Sequence, residues 1–514
     1  TNFGEKMILV VLFCITVYVF YKFYLRKTSS ALPSHLKPIP VVSGGLPIVG
    51  NLLNVSSAPF QYLNDLREKY GPIYSIQIGW KNIIVLNNYD VINKSLKEQG
   101  NTFSGRWANV FTKDLAKDSG ILFKDKEFWA TQRSFTLRVL RDFGFGKQCA
   151  ENVVYREIEK MVKEIKLKNG RNIETTKLVS FATVNMISDF IMKREFENND
   201  ENILYVIKSI QDIARVADVN SLVMNVFPIF DWFPRISLML IYYFHPMRII
   251  QTIDRTTDFI GSIVEDHRKR FCPENESQDL IDAFLLEQHR LNSLNSKNHS
   301  FTDWQVVRLI SELFLAGYET TANTLSWTFL LLAIHPEIQT KIRDEISKEI
   351  GFIRWPTMND KKSLNYCQAV LDEIFRYSTV LPLSIAHRVL ENASINGFFV
   401  PADSILFPNL YACHRDPSVW KKPYDFYPEH FLNENGNYQP KVELVPFGLG
   451  KRQCLGEALA RMEEFIVVVS FLQKFSISLS DESKKLDTFQ LLNGSRGTFR
   501  GPAIHTLNFD ELVH

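Results

Sequence analysis

The chain has 514 residues, with 59 Lys and Arg against 57 Asp and Glu, a formal net charge of +2. That balance supplies no global field for nucleic acid, and 45% hydrophobic residues with 39 Phe exclude a disordered chain. The six cysteines, Cys14, Cys149, Cys272, Cys367, Cys413 and Cys454, contain no C-x-x-C pair. A zinc ribbon and a dense disulfide framework are therefore excluded, and a reducing compartment fits.

Residues 7–21 (MILVVLFCITVYVFY) are an uncharged apolar run. Extended to Leu25, past a Lys22 whose stem can snorkel, the run nears the ~20 residues that cross a bilayer. Lys22, Arg26 and Lys27 follow it, so the positive-inside rule puts the remainder of the chain in the cytosol. A cleaved signal peptide is the rival; its basic residues would precede the run, and no small-x-small cleavage site stands out. Residues 1–27 thus read as a membrane anchor. Pro33, Pro38, Pro40, Gly44, Gly45, Pro47 and Gly50 follow, and the mix of fixed and free φ angles predicts a hinge over 28–57.

From 58 to 514 long helical patterns dominate, with strand-like runs at 73–78, 83–86, 393–400 and 475–479. The expected fold class is mainly α with small β-sheets, in one large domain. Residues 221–247 are very apolar but broken by Pro228, Pro234 and Pro246, too short in any piece to span a membrane. They read equally as core helices with a bend or as a loop dipping into the membrane.

Thr302 and Gln305 form a capping-box pattern before a Pro-free run to Ile334. About 30 residues at 1.5 Å each give a helix of roughly 45 Å. Leu313, Ala316, Gly317, Thr320 and Thr324 share one face of it. Gly317 costs about 1 kcal/mol of helix propensity, so it asks for a reason: close approach of a flat ligand and O₂, or close packing of another helix. Thr320 can bond back to the Ala316 carbonyl, and Glu319 can relay protons. Glu373 and Arg376, at i and i+3, are by themselves an ordinary surface pair.

The densest signal is residues 446–458, PFGLGKRQCLGEA. Cys454 stands just before a helix, where free N–H groups and the dipole favour a thiolate. Lys451 and Arg452 add positive charge. Gly448 and Gly450 permit backbone geometry closed to other residues, and Gly456 leaves room for a flat ligand. One thiolate without partners is not a zinc site, but it suits a single axial ligand of haem iron. The plain alternative for Cys454 alone is a buried thiol in a turn.

The string F-x-x-G-x-R-x-C-x-G at 447–456, with A-G-x-[DE]-T-[TS] at 316–321, resembles the cytochrome P-450 family of haem-thiolate monooxygenases. The resemblance runs over nearly the whole chain. It implies the fold of that family behind an N-terminal transmembrane helix, with haem b ligated by Cys454. Arg452 would pair with a haem propionate, and Phe447 would pack beside the cysteine loop. Trp129 and Arg133, one helical turn apart, would be further propionate contacts, and His387, rather than Arg388, another. Ala316 and Gly317 would lie against the cofactor, with Thr320 and Glu319 managing protons during oxygen activation. Glu373 and Arg376 would be a buried structural pair. Pro428-Glu429-His430-Phe431 matches the segment that completes it, with His430 where Arg is usual, which weakens the third leg.

The resemblance is nearest to the microsomal drug- and steroid-hydroxylating subgroup. It implies an endoplasmic reticulum membrane protein, single-pass, with its catalytic domain on the cytoplasmic face. Electrons would come from NADPH through a separate reductase, with cytochrome b5 a second candidate partner, and a basic patch of Arg138, Arg141, Lys147 and Lys451 could dock the reductase. Pocket segments would be 103–121, 313–320, 380–385 and 491–498, mainly apolar, for a sterol, terpenoid, fatty acid or xenobiotic. Two other readings remain: a haem-thiolate isomerase or dehydratase acting on a peroxide, against which Glu319-Thr320 counts, and a non-catalytic membrane-tethered scaffold.

Overall fold

The computed structural model describes residues 32–46, 49–55, 59–107, 119–144, 148–197, 200–216, 248–296 and 299–513. The apolar run at 7–21 and the segment 221–247 lie outside them. Among the described residues no helix is long and apolar enough to cross a membrane.

The longer helices are α1 (Pro59–Tyr70), α2 (Lys126–Asp142), α3 (Gln148–Leu167), α4 (Thr175–Met192), α5 (Glu201–Val216) and α6 (Arg248–Arg270). After them come α7 (Leu280–Ser293), α8 (Asp303–Ile334), α9 (Pro336–Glu349), α10 (Asn365–Ser378) and α11 (Glu457–Lys474). The strands are short: β1 (Ile73–Ile78), β2 (Lys81–Leu86), β3 (Gly105–Arg106), β4 (Ile173–Glu174), β5 (His387–Arg388) and β6 (Ala393–Ile395). They continue with β7 (Phe398–Val400), β8 (Ile405–Pro408), β9 (Phe475–Leu479), β10 (Ser495–Arg496), β11 (Arg500–Gly501) and β12 (Thr506–Glu511). The mainly helical expectation with small sheets therefore holds.

The main sheet has the order β1-β2-β8-β5-β3. β8 lies parallel to β2 in register Ile83 to Ile405, and the other pairs are antiparallel. Its β3–β5 end brings Arg106 opposite His387. That pairing is tight: a Cβ on Gly105 would sit 2.5 Å from the Arg388 carbonyl oxygen, so only Gly fits.

α8 is the axis of the helical part. Leu309, Phe314, Leu325, Trp327 and Phe329 on it are fully buried, and it packs against α4, α6, α10 and α11. Thr302 accepts from the Gln305 N–H at 3.2 Å, but only half of the expected capping box forms. The Gln305 side chain instead accepts from the Gly120 N–H at 2.7 Å and donates to Gln132.

The Pro/Gly stretch departs from the expected hinge. The N–H of Lys37 donates to Gly397, Val42 to Ser75 and Asn51 to Gln77, so this segment is laid along the sheets from Lys37 on. A Cβ on Gly50, at φ +59, would stand 2.4 Å from the Gln77 carbonyl oxygen. The glycine serves this close docking rather than free swivelling.

Candidate functional site

The cysteine loop is built by its glycines. Gly448 and Gly450 both have φ +71, and a Cβ on Gly450 would fall 1.7 Å from the Leu96 carbonyl oxygen. The loop therefore sits directly on the helical turn Lys94–Glu98. The Cys454 N–H donates to the Phe447 carbonyl at 2.9 Å, which puts Phe447 beside the cysteine as expected. α11 starts three residues later with Gly456 as its N-cap.

Cys454 is solvent-accessible, yet protein surrounds its sulfur closely enough that burial pushes the thiol above its usual range. Backbone N–H groups of Gly456 and Glu457 act in the opposite sense, as does Arg133. Burial outweighs the helix terminus, so the expected bias toward thiolate does not come from the protein alone. A bound metal ion deprotonates a coordinating thiol outright. Gly456 offers a test of fit. Its backbone does not need glycine (φ −91), and among the described residues a Cβ there would meet only Cys454 Sγ, at 3.9 Å. Space beside the sulfur is what a flat macrocycle requires.

On α8 the burial pattern is interrupted at the motif. Ala316 is exposed between the buried Phe314 and Tyr318. Thr320 Oγ1 donates to the Ala316 carbonyl at 2.6 Å, as the sequence predicts. Glu319 is buried, and its Oε1 accepts from Asn323 Nδ2 at 2.9 Å. Gly317 faces another helix. A Cβ on it would stand 2.8 Å from Ile187 Cγ1 on α4. Its missing side chain leaves the space that Ile187 of α4 fills.

A cluster of guanidiniums borders the cysteine loop. Arg452 stacks 4.0 Å from the Trp129 ring centroid, and Arg133 lies 5.9 Å from the same ring. Arg133 also donates to the Gln453 carbonyl at 2.6 Å. Arg452 is already engaged, with Asp125 at 2.7 Å and with the carbonyls of Ser104 and Lys124. Burial lowers it to about 10. His387 is buried, its Nδ1 donates to the Phe103 carbonyl at 2.7 Å, and burial with Arg106 nearby holds it well below its ordinary value. Arg388 bridges Asp125 and Asp403.

Sequence reasoning missed three residues here. Arg106 is buried, donates to the Ile385 carbonyl at 2.9 Å, and is pushed down to about 9 by burial and by Arg452. Its Nε has no hydrogen-bond partner among the described residues. Asp125 is the carboxylate shared by Arg452, Arg388 and the Arg106 N–H. It stands at the N-cap of α2 but does not cap it. Two guanidiniums sharing one carboxylate, with the buried Arg106 guanidinium beside them carrying an unmet donor among the described residues, suit a group carrying carboxylates of its own. Glu312 is the third. It accepts from the N–H groups of Ile121 and Leu122, at 2.7 and 3.0 Å, and pins that loop to α8. The identity of Asp125 and Glu312 as tertiary acceptors leaves no local signal.

Behind the loop, Glu373 and Arg376 are fully buried and joined by two bonds of 2.7 Å. His430 completes the arrangement. Nδ1 lies 3.1 Å from Glu373 Oε2, and Nε2 accepts from the Lys422 N–H at 3.2 Å. Those partners fit a neutral ring, so the third leg here is a hydrogen bond instead of an ion pair. A surface cleft near Lys193, Arg270 and Cys272 holds none of these groups.

The family model described as cytochrome P-450 matches residues 40–498. Cytochrome P-450 2U1 of Bos taurus is 35% identical over 85% of this chain and 79% of its own length. Cytochrome P-450 2C5 of Oryctolagus cuniculus is 33% identical over 87% and 90%, and 2A6 of Homo sapiens 31% identical over 94% of each. The chain belongs to the cytochrome P-450 family, and with it to the haem-thiolate monooxygenases.

Proposed function

We propose that this chain inserts one oxygen atom of O₂ into a lipophilic small molecule, a sterol, terpenoid, fatty acid or xenobiotic. Electrons would be drawn from NADPH through a separate flavoprotein reductase. The observation that carries the reading is an accessible cysteine, in a glycine-built loop that opens α11 beside the buried guanidiniums of Arg106 and Arg452. Haem bound there supplies O₂ activation, which thiolate donation favours by promoting O–O cleavage.

The protein's own groups divide the remaining work. Cys454 holds the iron and Gly456 leaves the macrocycle room. Arg106, Arg133, Arg452 and Trp129 hold its acidic edge, and burial makes each charge-assisted bond count for more; His387, whose Nδ1–H is spent on the Phe103 carbonyl, would join them only with a proton on Nε2. Thr320 holds a proton donor next to Ala316, and Glu319, one residue away, is its source. Glu312 fixes the loop at 121–122, while residues 313–320, 380–385 and 491–498 wall off water. Arg138, Arg141 and Lys451, all exposed, would with Lys147, which lies outside the described residues, make a basic patch suited to an acidic reductase. Cytochrome b5 could use the same face. The apolar run at 7–21 would tether this body to the endoplasmic reticulum membrane, catalytic domain toward the cytosol. Peroxide isomerisation is disfavoured because the acid–Thr pair is intact.

The reduced wild-type protein should give a carbon monoxide difference spectrum with the red-shifted thiolate Soret band, and Cys454→Ser should lose it. A folded wild type without that band would end this reading. Thr320→Ala should keep the band but divert O₂ consumption away from product; unchanged coupling would remove Thr320 from proton delivery.

A further inference from the structure

We infer that Arg461 sets the electron affinity of the Cys454 site by neutralising Glu457, a positioning role that rests on the haem-thiolate reading above. Glu457 opens α11 three residues after the cysteine, and its carboxylate is close enough to oppose negative charge on the sulfur. Arg461, one turn further along, meets it with Nε at 2.9 Å from Oε1. The other edge of the guanidinium is held by Asp372 of α10, Nη1 to Oδ1 at 2.8 Å. Its flat face lies 5.0 Å from the Phe447 ring and 5.1 Å from the Phe375 ring, and these two rings pack edge to face at 5.2 Å. Asp372 is itself braced by the Tyr438 hydroxyl.

The same carboxylate reaches into the loop. Glu457 Oε2 accepts from Gln453 Nε2 at 2.7 Å, and the Gln453 carbonyl accepts from Arg133. A continuous chain of charged and polar bonds thus runs from α10 through Arg461 and Glu457 to the residue preceding Cys454, and on to α2. The local charges are the Glu457 and Asp372 carboxylates, the Arg461 guanidinium between them, the Lys361 ammonium near Asp372 and Arg461, and Arg133 on the cysteine's other side. Losing Arg461 takes from Glu457 its ion-pair partner, beside a centre that gains an electron on reduction, while Lys361 still faces Asp372. Like charge at that range opposes reduction, and partial burial limits screening.

The test is a spectroelectrochemical titration of the full haem-loaded chain, which reads the ferric–ferrous equilibrium without turnover. Arg461→Met should shift that equilibrium about threefold to tenfold toward ferric. Arg461→Lys should stay within about twofold of wild type, and Glu457→Gln should shift the opposite way. Arg461→Met combined with Glu457→Gln restores the wild-type charge sum and should return the equilibrium to within about twofold. A double variant as displaced as Arg461→Met would overturn the inference, since lost packing would then be the cause. If Arg461→Met fails to retain haem, Glu457→Gln decides alone: no shift toward ferrous overturns it. The wild-type carbon monoxide spectrum separates the two levels. A thiolate band with potentials that do not move refutes only the role of Arg461, and a missing band refutes both.

Discussion

Glu464, on the face of α11 that meets α8, carries a charge argument of its own. Its Oε1 contacts the Thr328 hydroxyl, which also lies 2.9 Å from the Thr324 carbonyl. A hydroxyl has one hydrogen and a carbonyl only accepts, so both contacts close when the carboxyl is the donor, that is, protonated. Burial agrees, raising Glu464 from 4.5 to about 8; neighbouring Glu463, bonded to Thr321, is raised likewise by burial. The native state therefore binds the proton more tightly than the unfolded chain. Stability from this group is complete below about pH 4.5 and is lost as pH rises through about 8. Glu464→Gln keeps a donor for Thr328 and cannot ionise. It is expected to match wild type near pH 5 and to exceed it by about 2–4 kcal/mol at pH 8, measured by urea unfolding at both values. Equal stability at pH 8 would mean that Glu464 is charged in the folded protein.

At the scale of elements, α8 shows what a sequence can and cannot disclose. Its length, its Thr302 cap and the Thr320 back-bond are local properties, fixed by residues within four positions of one another, and all three are legible. The partner of Gly317 is not, because Ile187 belongs to α4 and is 130 positions away. Composition alone admitted both a ligand and a helix against that glycine. The packing separates them: Gly317→Ala gains about 1 kcal/mol of helix propensity but forces contact at 2.8 Å, an overlap worth about 1–3 kcal/mol. A net loss of about 1 kcal/mol is expected in the wild-type background, read from thermal unfolding. In an Ile187→Ala background the same change should be neutral or stabilising, since the clash has gone. If the cost persists without Ile187, the glycine is answering to the cofactor side after all.

At the scale of the whole molecule, distant segments meet through single buried side chains. Arg376 donates to Glu373 twice and to the carbonyls of His414, Pro423 and Asp425, at 2.7–2.8 Å. His414 Nε2 in turn accepts from the Val445 N–H, two residues before Phe447. One guanidinium thereby links α10, the segment after β8 and the approach to the cysteine loop. The E-x-x-R spacing made the pair legible, and the resemblance made it buried; neither disclosed that His430 could replace a cation. That follows from Lys422, whose N–H turns Nε2 into an acceptor, a pairing that exists only once the chain has folded back. Arg106, Asp125 and Asp372 were hidden for the same reason: each acts on residues far away in sequence. The two substitutions should therefore differ sharply. Arg376→Met leaves the Glu373 carboxylate buried without its cation and frees three carbonyls, so a loss of about 3–5 kcal/mol and failure to retain haem are expected. His430→Gln preserves one donor and one acceptor and should cost about 1 kcal/mol, with haem retained. Both are read from unfolding midpoints and the haem-to-protein absorbance ratio. A His430→Gln variant as damaged as Arg376→Met would show that the imidazole contributes charge, not just a hydrogen bond, to the network that seats the loop.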